Sequence, residues 1–302
     1  MVTTLDWYGC ATFALRTAGL DIMLDAYVDR AIGAAGPQPP LTADDIGDCD
    51  YIVVGHAHFD HLYGAERIMA NTDATLIGSY ESVRVMERAG VPVDRMIPVA
   101  GGETIELEGA HAPASVSVYP SQHSCVWSHA EMDQPDHVCI GDLGVTWQEQ
   151  QSRLAELMQY LTTELDQGAI DHILTSDTGH SERGDGGALV FLFDLPDGRL
   201  FYQDTSGHWS GVLRDLRPDV AILGAAGRGN VDGEPIQGSL AQFVARQVDL
   251  LRPRQVVLGH HDDWLPGFSV PTDTGPILAE IERVRPGTVV LEPGYVDGTV
   301  IF

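Results

Sequence analysis

The sequence predicts an α/β protein, and three observations carry that expectation. Short β-branched apolar runs such as Tyr51-Ile52-Val53-Val54-Gly55 and Gln255-Val256-Val257-Leu258-Gly259 read as buried strands. Stretches with helical spacing and good caps, such as 79–89 after Ser79 and 239–251 after Ser239, fall between them. Several strands run straight into loops that carry histidine or aspartate, and α/β sheets commonly keep their sites at strand ends.

Taken in order, residues 2–8, 11–17 and 21–25 alternate or run apolar around Gly9 and Ala18-Gly19, so they read as consecutive antiparallel strands. Residues 31–40 are a loop by composition, either a border of the site or a plain surface connection. Residues 41–46 fit a short helix capped by Thr42. The strand 51–55 follows, then His56-Ala57-His58-Phe59-Asp60-His61, then the start of a helix at 64–70. Residues 74–78, 104–108 and 115–119 read as strands, the last leading to His123. Leu154, Leu157, Met158, Leu161 and Leu165 recur at helical spacing, so 146–166 is expected to be an amphipathic helix. A hairpin, 186–193 and 199–203, turns at Pro196-Asp197-Gly198 and delivers Asp204. Residues 220–224 form a strand, 225–238 a Gly- and Asn-rich loop, and 255–259 a strand ending in His260-His261-Asp262-Asp263-Trp264. A helix over 275–285 and a strand over 288–291 follow.

The stretch 56–61 carries the chemistry. Imidazole and carboxylate together suit zinc, iron or manganese. His56, His58 and Asp60 are spaced by two, so an extended segment points them to one side, while His61 turns to a neighbouring position. One short loop can thus feed two adjacent cations.

This segment resembles the His-x-His-x-Asp-His signature of the metallo-β-lactamase-fold superfamily, and the opening Trp7-Tyr8-Gly9-Cys10-Ala11-Thr12-Phe13 is similar to that of its UlaG-like metal-dependent hydrolases. The resemblance implies one αββα domain over 1–302, two mixed sheets packed face to face with helices outside, and here a helical insertion at about 124–185. It implies a dinuclear site: His56, His58 and His123 on one cation; Asp60, His61 and His260 on the other; and Asp204 as the bridge. His261 is the alternative to His260. Zinc is the first expectation for both cations, with manganese or iron as alternatives. A metal-bridging hydroxide is expected to attack a lactone, ester or phosphoester, with Asp60 as the catalytic carboxylate. Asp25, where relatives usually also have Asp, is expected to orient a ligand or cap a strand; Asp262 and Asp263 are further orienting candidates. Many relatives carry His where this chain has Cys10, so no role follows for that position from the resemblance.

Composition narrows the alternatives. Against 44 acidic residues stand 17 basic ones, all Arg, for a net charge of −27. With no Lys, Schiff-base and lysine-base chemistry and a Walker-type phosphate loop are excluded, and the negative field disfavours nucleic acid and anionic membranes. That weighs against a ribonuclease Z-type phosphodiesterase. A non-hydrolytic di-iron redox module is the other alternative; its relatives tend to carry Glu at the position of His58. No Gly-x-Ser-x-Gly elbow supports a serine nucleophile. The four scattered cysteines, Cys10, Cys49, Cys125 and Cys139, read as reduced thiols, and with no apolar span or signal-like start the expectation is a cytoplasmic protein. The expected partner is a small molecule, with a homo-oligomer through 124–185 as a further expectation; the 146–166 helix is either a lid or such a surface. Trp7, Tyr8, Trp127, His208, Trp209 and Trp264 are candidates to line a pocket, and Arg183 and Arg228 to meet an anionic substrate. His111, His129, His137, His172 and His180 are expected to be structural or solvated.

Overall fold

The computed structural model describes residues 2–31, 34, 41–128, 134–175, 184–293, 295 and 298–302. Most of the 31–40 loop, His129, His180 and Arg183 therefore lie outside the described residues.

Strands β1 (Thr4–Gly9), β2 (Thr12–Thr17) and β3 (Leu20–Leu24) form the expected antiparallel meander. The expected helix at 41–46 is a single 3-10 turn, Ala43–Asp45, in which Asp45 accepts from the Thr42 N–H at 2.8 Å. Parallel strands follow: β4 (Tyr51–Val53), then α1 (Phe59–Leu62) and α2 (Ala65–Asn71), β5 (Thr75–Ser79), α3 (Tyr80–Arg88) and β6 (Met96–Val99). β6 escaped the sequence reading because Pro98 interrupts a run of only four residues. Ser79 caps α3 by accepting from Ser82 N–H at 3.1 Å, a contact worth about 1 kcal/mol.

The chain then crosses to a second sheet with β7 (Thr104–Glu106) and β8 (Ser115–Pro120). Helix α4 (Trp147–Thr163) is the helix expected over 146–166, and a further helix, α5 (Gln167–Thr175), follows it. β9 (Leu189–Leu195) and β10 (Gly198–Tyr202) are the expected hairpin. β11 (Gly207–His208), α6 (Ser210–Leu213), β12 (Val220–Gly224), β13 (Asn230–Val231), β14 (Glu234–Pro235), α7 (Leu240–Leu251), β15 (Gln255–Gly259), α8 (Gly275–Val284), β16 (Val289–Leu291) and β17 (Thr299–Val300) complete the order. The loop expected over 225–238 holds β13 and β14, which pair with β11 in a small third sheet.

The two large sheets mirror each other. One runs β17-β1-β2-β3-β4-β5-β6 and the other β16-β15-β12-β10-β9-β8-β7; each is antiparallel on one side and parallel on the other. Strand periodicity explains why they stack. In β3 and β4, Leu20, Ile22, Leu24, Tyr51 and Val53 face the other sheet, while Met23 and Ile52 face α2 and α3. In β12 and β15, Val220, Ile222 and Val257 face inward, while Ala221, Leu223, Val256 and Leu258 pack under α7 and α8. This is the expected αββα arrangement, two mixed sheets face to face with helices outside. A smaller apolar cluster joins Tyr27, Leu161, Leu165, Ala169, Trp264 and Leu265, and fixes α4 and α5 to one end of the sandwich. The leucine stripe on α4 is only partly core: Leu161 is buried, but Met158 is 52% exposed.

Among the described residues, all four cysteines are free, and no helix is long and apolar enough to cross a membrane.

Candidate metal centre

Four strand ends on one rim of the sandwich supply the site. β4 leads into the loop 54–58 and α1, which carry His56, His58, Asp60 and His61; β8 leads to His123, β10 to Asp204 and β15 to His260. Two glycines let these loops close. A Cβ on Gly55 would overlap the Asp204 carboxylate, and one on Gly9, at φ +88°, would overlap the Arg30 guanidinium.

The candidate ligand atoms of His56, His58 and His123 lie within 4.8 Å of one another. His56 Nε2 faces His58 Nδ1 at 3.0 Å, and the His123 ring is 4.6 Å from that of His56. A second group surrounds Asp60 Oδ2, which is 3.4 Å from His61 Nε2 and 3.3 Å from His260 Nε2. Asp204 stands between the groups, with Oδ2 2.6 Å from His56 Nδ1 and 3.5 Å from His61 Nδ1. All seven expected residues are thus brought together. His261 is not: it stacks on Trp7 at 4.6 Å with the rings 10° apart, which leaves His260 as the residue facing Asp60.

Outer contacts select the tautomers. His56 Nδ1 meets Asp204, His61 Nδ1 meets Asp25 Oδ2 at 2.5 Å, and His123 Nδ1 donates to the Ser124 carbonyl at 3.0 Å. With the proton held at Nδ1, Nε2 of His56 and His123 keeps a lone pair directed into the cluster, and that of His61 would gain one on losing its second proton, the arrangement a ligand imidazole needs. Asp25 is fixed in turn, its Oδ1 accepting from Gly55 N–H at 3.0 Å. Three of the residues forming this shell, Cys10, Asp25 and His260, have positive φ, of 49°, 54° and 62°. Left-handed backbone at non-glycine residues persists where surrounding contacts over-determine it, and such positions gather at functional sites.

The electrostatics of the protein alone are those of a crowded, dry cluster. Burial, then the neighbouring imidazoles, holds His56 and His58 well below the ordinary histidine range. Burial also opposes charge on His61, but Asp60 and Asp25 outweigh it and hold that imidazole well above the ordinary range. Burial disfavours the Asp60 anion, yet His61 and His260 outweigh it and keep that carboxyl well below the usual value. Burial pushes Asp25 up to about 6 and raises Asp204, against the pull of His61.

Does this set fit divalent cations? Asp204 Oδ1 is buried and has no hydrogen-bond partner. A buried carboxylate oxygen left alone is costly, and a cation held among neutral imidazoles and carboxylates satisfies it. The donor set, five imidazoles and two carboxylates, suits zinc, iron or manganese.

A cavity of about 660 Å³ is lined among others by Cys125, Trp127, Arg153, Tyr160, Arg228 and Phe268. None of the seven candidate ligands lines it. Two of its lining residues are linked to them: Cys125 follows His123 closely in the chain, and Phe268 packs on Trp264, whose ring is 5.2 Å from His260. Trp127 belongs to this wall as expected. Arg228 does too, but its charge is taken: it donates to Asp142 at 3.0 Å and to Ser128 and the Gly141 carbonyl. His208 is fully buried beside Phe243, away from any cavity wall described here, so the sequence expectation for it is corrected. Tyr8 packs on the helix side of the first sheet, and Trp7 between the sheets. His172 is structural: its Nε2 is 3.0 Å from the Tyr27 hydroxyl. Sequence reasoning missed Cys10 as a member of the site. The signal was its place after Gly9 in the opening segment, where many relatives carry His; the structure sets it with Asp60 and His260.

Comparison with known proteins gives a consistent result. The model of a beta-lactamase superfamily domain matches residues 21–141. A metal-dependent hydrolase of Pyrobaculum arsenaticum is 32% identical over 103 residues, covering 34% of this chain and 44% of the relative. The chain thus spans less than half the length of such curated relatives. Among solved structures, a metallo hydrolase from the archaeon Ignicoccus hospitalis aligns over 97% of both chains with a TM-score of 0.59 at 17% identity. A possible metal-dependent hydrolase from Veillonella parvula covers 100% of both chains, with a TM-score of 0.60 at 13% identity. At these identities the structural likeness is one of fold.

Proposed function

We propose, for a chain that has the metallo-β-lactamase fold and carries that superfamily's domain over residues 21–141, a metal-dependent hydrolase with two divalent cations that acts on a small neutral carbonyl compound, a lactone or an ester. One observation carries the reading: His56, His58 and His123 converge from separate strand ends, His61 and His260 both face Asp60 Oδ2, and the buried Asp204, with one unpartnered oxygen, touches His56 and His61 from the two groups.

His56, His58 and His123 would hold one cation, Asp60, His61 and His260 the other, and Asp204 would reach both. When bound, such cations lower the pKa of water toward neutrality and stabilise negative charge developing on a substrate oxygen. The chain's own residues do the rest. Asp25 keeps the His61 proton on Nδ1. Asp60 stays anionic between two imidazoles, which suits a ligand, and its Oδ2 is the atom nearest to hand for passing on a proton. Trp264 and the apolar cluster around Tyr27 keep bulk water from the His260 side.

The wall of the cavity supports this substrate class. Its two arginines are both engaged by Asp142, at 2.9 Å from Arg153 and 3.0 Å from Arg228, and Arg153 also meets Glu149. Spent cations beside aromatic walls favour a neutral, partly apolar substrate over a phosphoester. The net charge of −27 weighs the same way. Within the superfamily we read the chain as UlaG-like, on the strength of the ligand segment at 56–61 and the opening at 7–13. The test is elemental analysis of the purified protein, followed by a panel of lactones, aryl esters, phosphodiesters and single-stranded RNA assayed with zinc, manganese and iron. Turnover of lactones or esters with about two metal equivalents is expected. Turnover confined to phosphodiesters or RNA overturns the substrate class, and absence of bound metal overturns the whole reading.

A further inference from the structure

Resting on the dinuclear reading above, we infer that Cys10 supplies a sulfur ligand to the cation held by Asp60, His61 and His260. The ligand atoms of Cys10, Asp60 and His260 lie within 4.8 Å of one another, and among the described residues Cys10 is the one cysteine in such a group. The side chain is fully buried, and its recorded polar contact is a long one, Sγ to the Asp60 carbonyl at 3.7 Å.

The backbone is built to hold that sulfur where it is. Cys10 sits at φ 49°, just past the register shift between Trp7 and Gly9 in the β1–β2 pairing. Its N–H donates to Asp262 Oδ1 at 3.0 Å, and its carbonyl accepts from His260 N–H at 2.7 Å and from Trp7 Nε1 at 3.0 Å. Asp262 is itself held by Arg30 and by the Tyr295 hydroxyl, the latter at 2.9 Å. Cys10 and His260 therefore move as one unit, with both side chains directed at Asp60.

Charge argues the same way. Two divalent ions bring four positive charges into a water-poor site, and Asp60 and Asp204 offset only two. A thiolate at position 10 offsets a third, where a neutral side chain offsets none. As the sulfur–metal bond forms, the S–H proton leaves to solvent, so metal uptake at this site releases a proton. A soft sulfur donor also biases the second position toward zinc or iron and away from manganese.

Zinc X-ray absorption on the fully loaded protein tests this without any variant. A sulfur scatterer at about 2.3 Å, averaging half an atom per zinc, is expected. Two zinc ions with nitrogen and oxygen neighbours alone overturn the inference while leaving the dinuclear hydrolase standing; failure to bind zinc removes both. In the cobalt-substituted protein, a near-ultraviolet sulfur-to-cobalt charge-transfer band is expected, and Cys10→Ser and Cys10→Ala should lose it. Chelator competition should show the weaker of the two zinc affinities falling in Cys10→Ser by at least the roughly 10- to 100-fold that loss of a mere ligand-orienting group costs. An unchanged band or unchanged affinity in a folded variant overturns the assignment. Should both variants fail to fold, the wild-type absorption spectrum decides alone.

Discussion

Asp25 Oδ2 lies 2.5 Å from His61 Nδ1, and both side chains are buried. Asp25→Asn keeps the acceptor for the Gly55 N–H but presents an amide N–H to His61. The His61 proton is then driven to Nε2, the nitrogen that faces Asp60. Affinity for one of the two cations should fall roughly 10- to 100-fold, the usual cost of losing such an orienting group. Chelator competition measures it; an unchanged affinity would sink the tautomer argument.

Gly55→Ala is the steric counterpart. The added methyl overlaps the Asp204 carboxylate, so either the strand end or Asp204 must shift. A displacement near 1 Å can cost about 100-fold in rate. We expect kcat to drop by that order with the circular dichroism spectrum unchanged.

His58→Ala should remove most turnover and one metal equivalent, because its Nδ1 is one of three nitrogens around one position. Two retained equivalents with full activity would remove His58 from the ligand set.

Metal removal should destabilise the fold as well as stop catalysis. Ligand binding at 100 times the dissociation constant adds about 2.7 kcal/mol, or roughly 5–10 °C in Tm for a domain of this class. Thermal unfolding with chelator against unfolding with added zinc checks this. Coincident curves would mean that the folded state gains nothing from cations.

Stability against pH isolates His208. Burial, then Arg246, pushes it down from 6.5 to about 4. On acidification the unfolded chain therefore takes up the proton first. Stability falls as pH drops below 6.5 and levels off near 4, a loss of about 3 kcal/mol from this group. Denaturant melts of wild type and His208→Leu should diverge in slope across that window. Parallel slopes would show that His208 is solvated in the native state.

The ligand residues were legible because each follows a strand directly, and a strand is a local apolar run: Tyr51–Val53 announces His56, and Gln255–Gly259 announces His260. What was hidden depends on partners far along the chain. β17 is two residues long and exists through pairing with β1, with Thr4 opposite Val300. β7 and β8 follow the first sheet in sequence but belong to the second, where β8 lines up with β9. Arg228 sits on a loop as expected, yet Asp142, 86 residues upstream, takes its charge. The Cys10 carbonyl meets the His260 N–H across nearly the whole chain, and no pattern near either residue records that contact.

One consequence follows from the division of the ligands between the two mirrored sheets. His56 and His58 wait for His123, and Asp60 and His61 wait for His260. Neither half of the sandwich owns a complete cage. On the proposed reading, a ribosome must therefore deliver the chain past residue 260 before a second ion would find its full set of ligands. A copy cut between residues 123 and 260 would, on the proposed reading, keep the first set of ligands and lack His260 from the second.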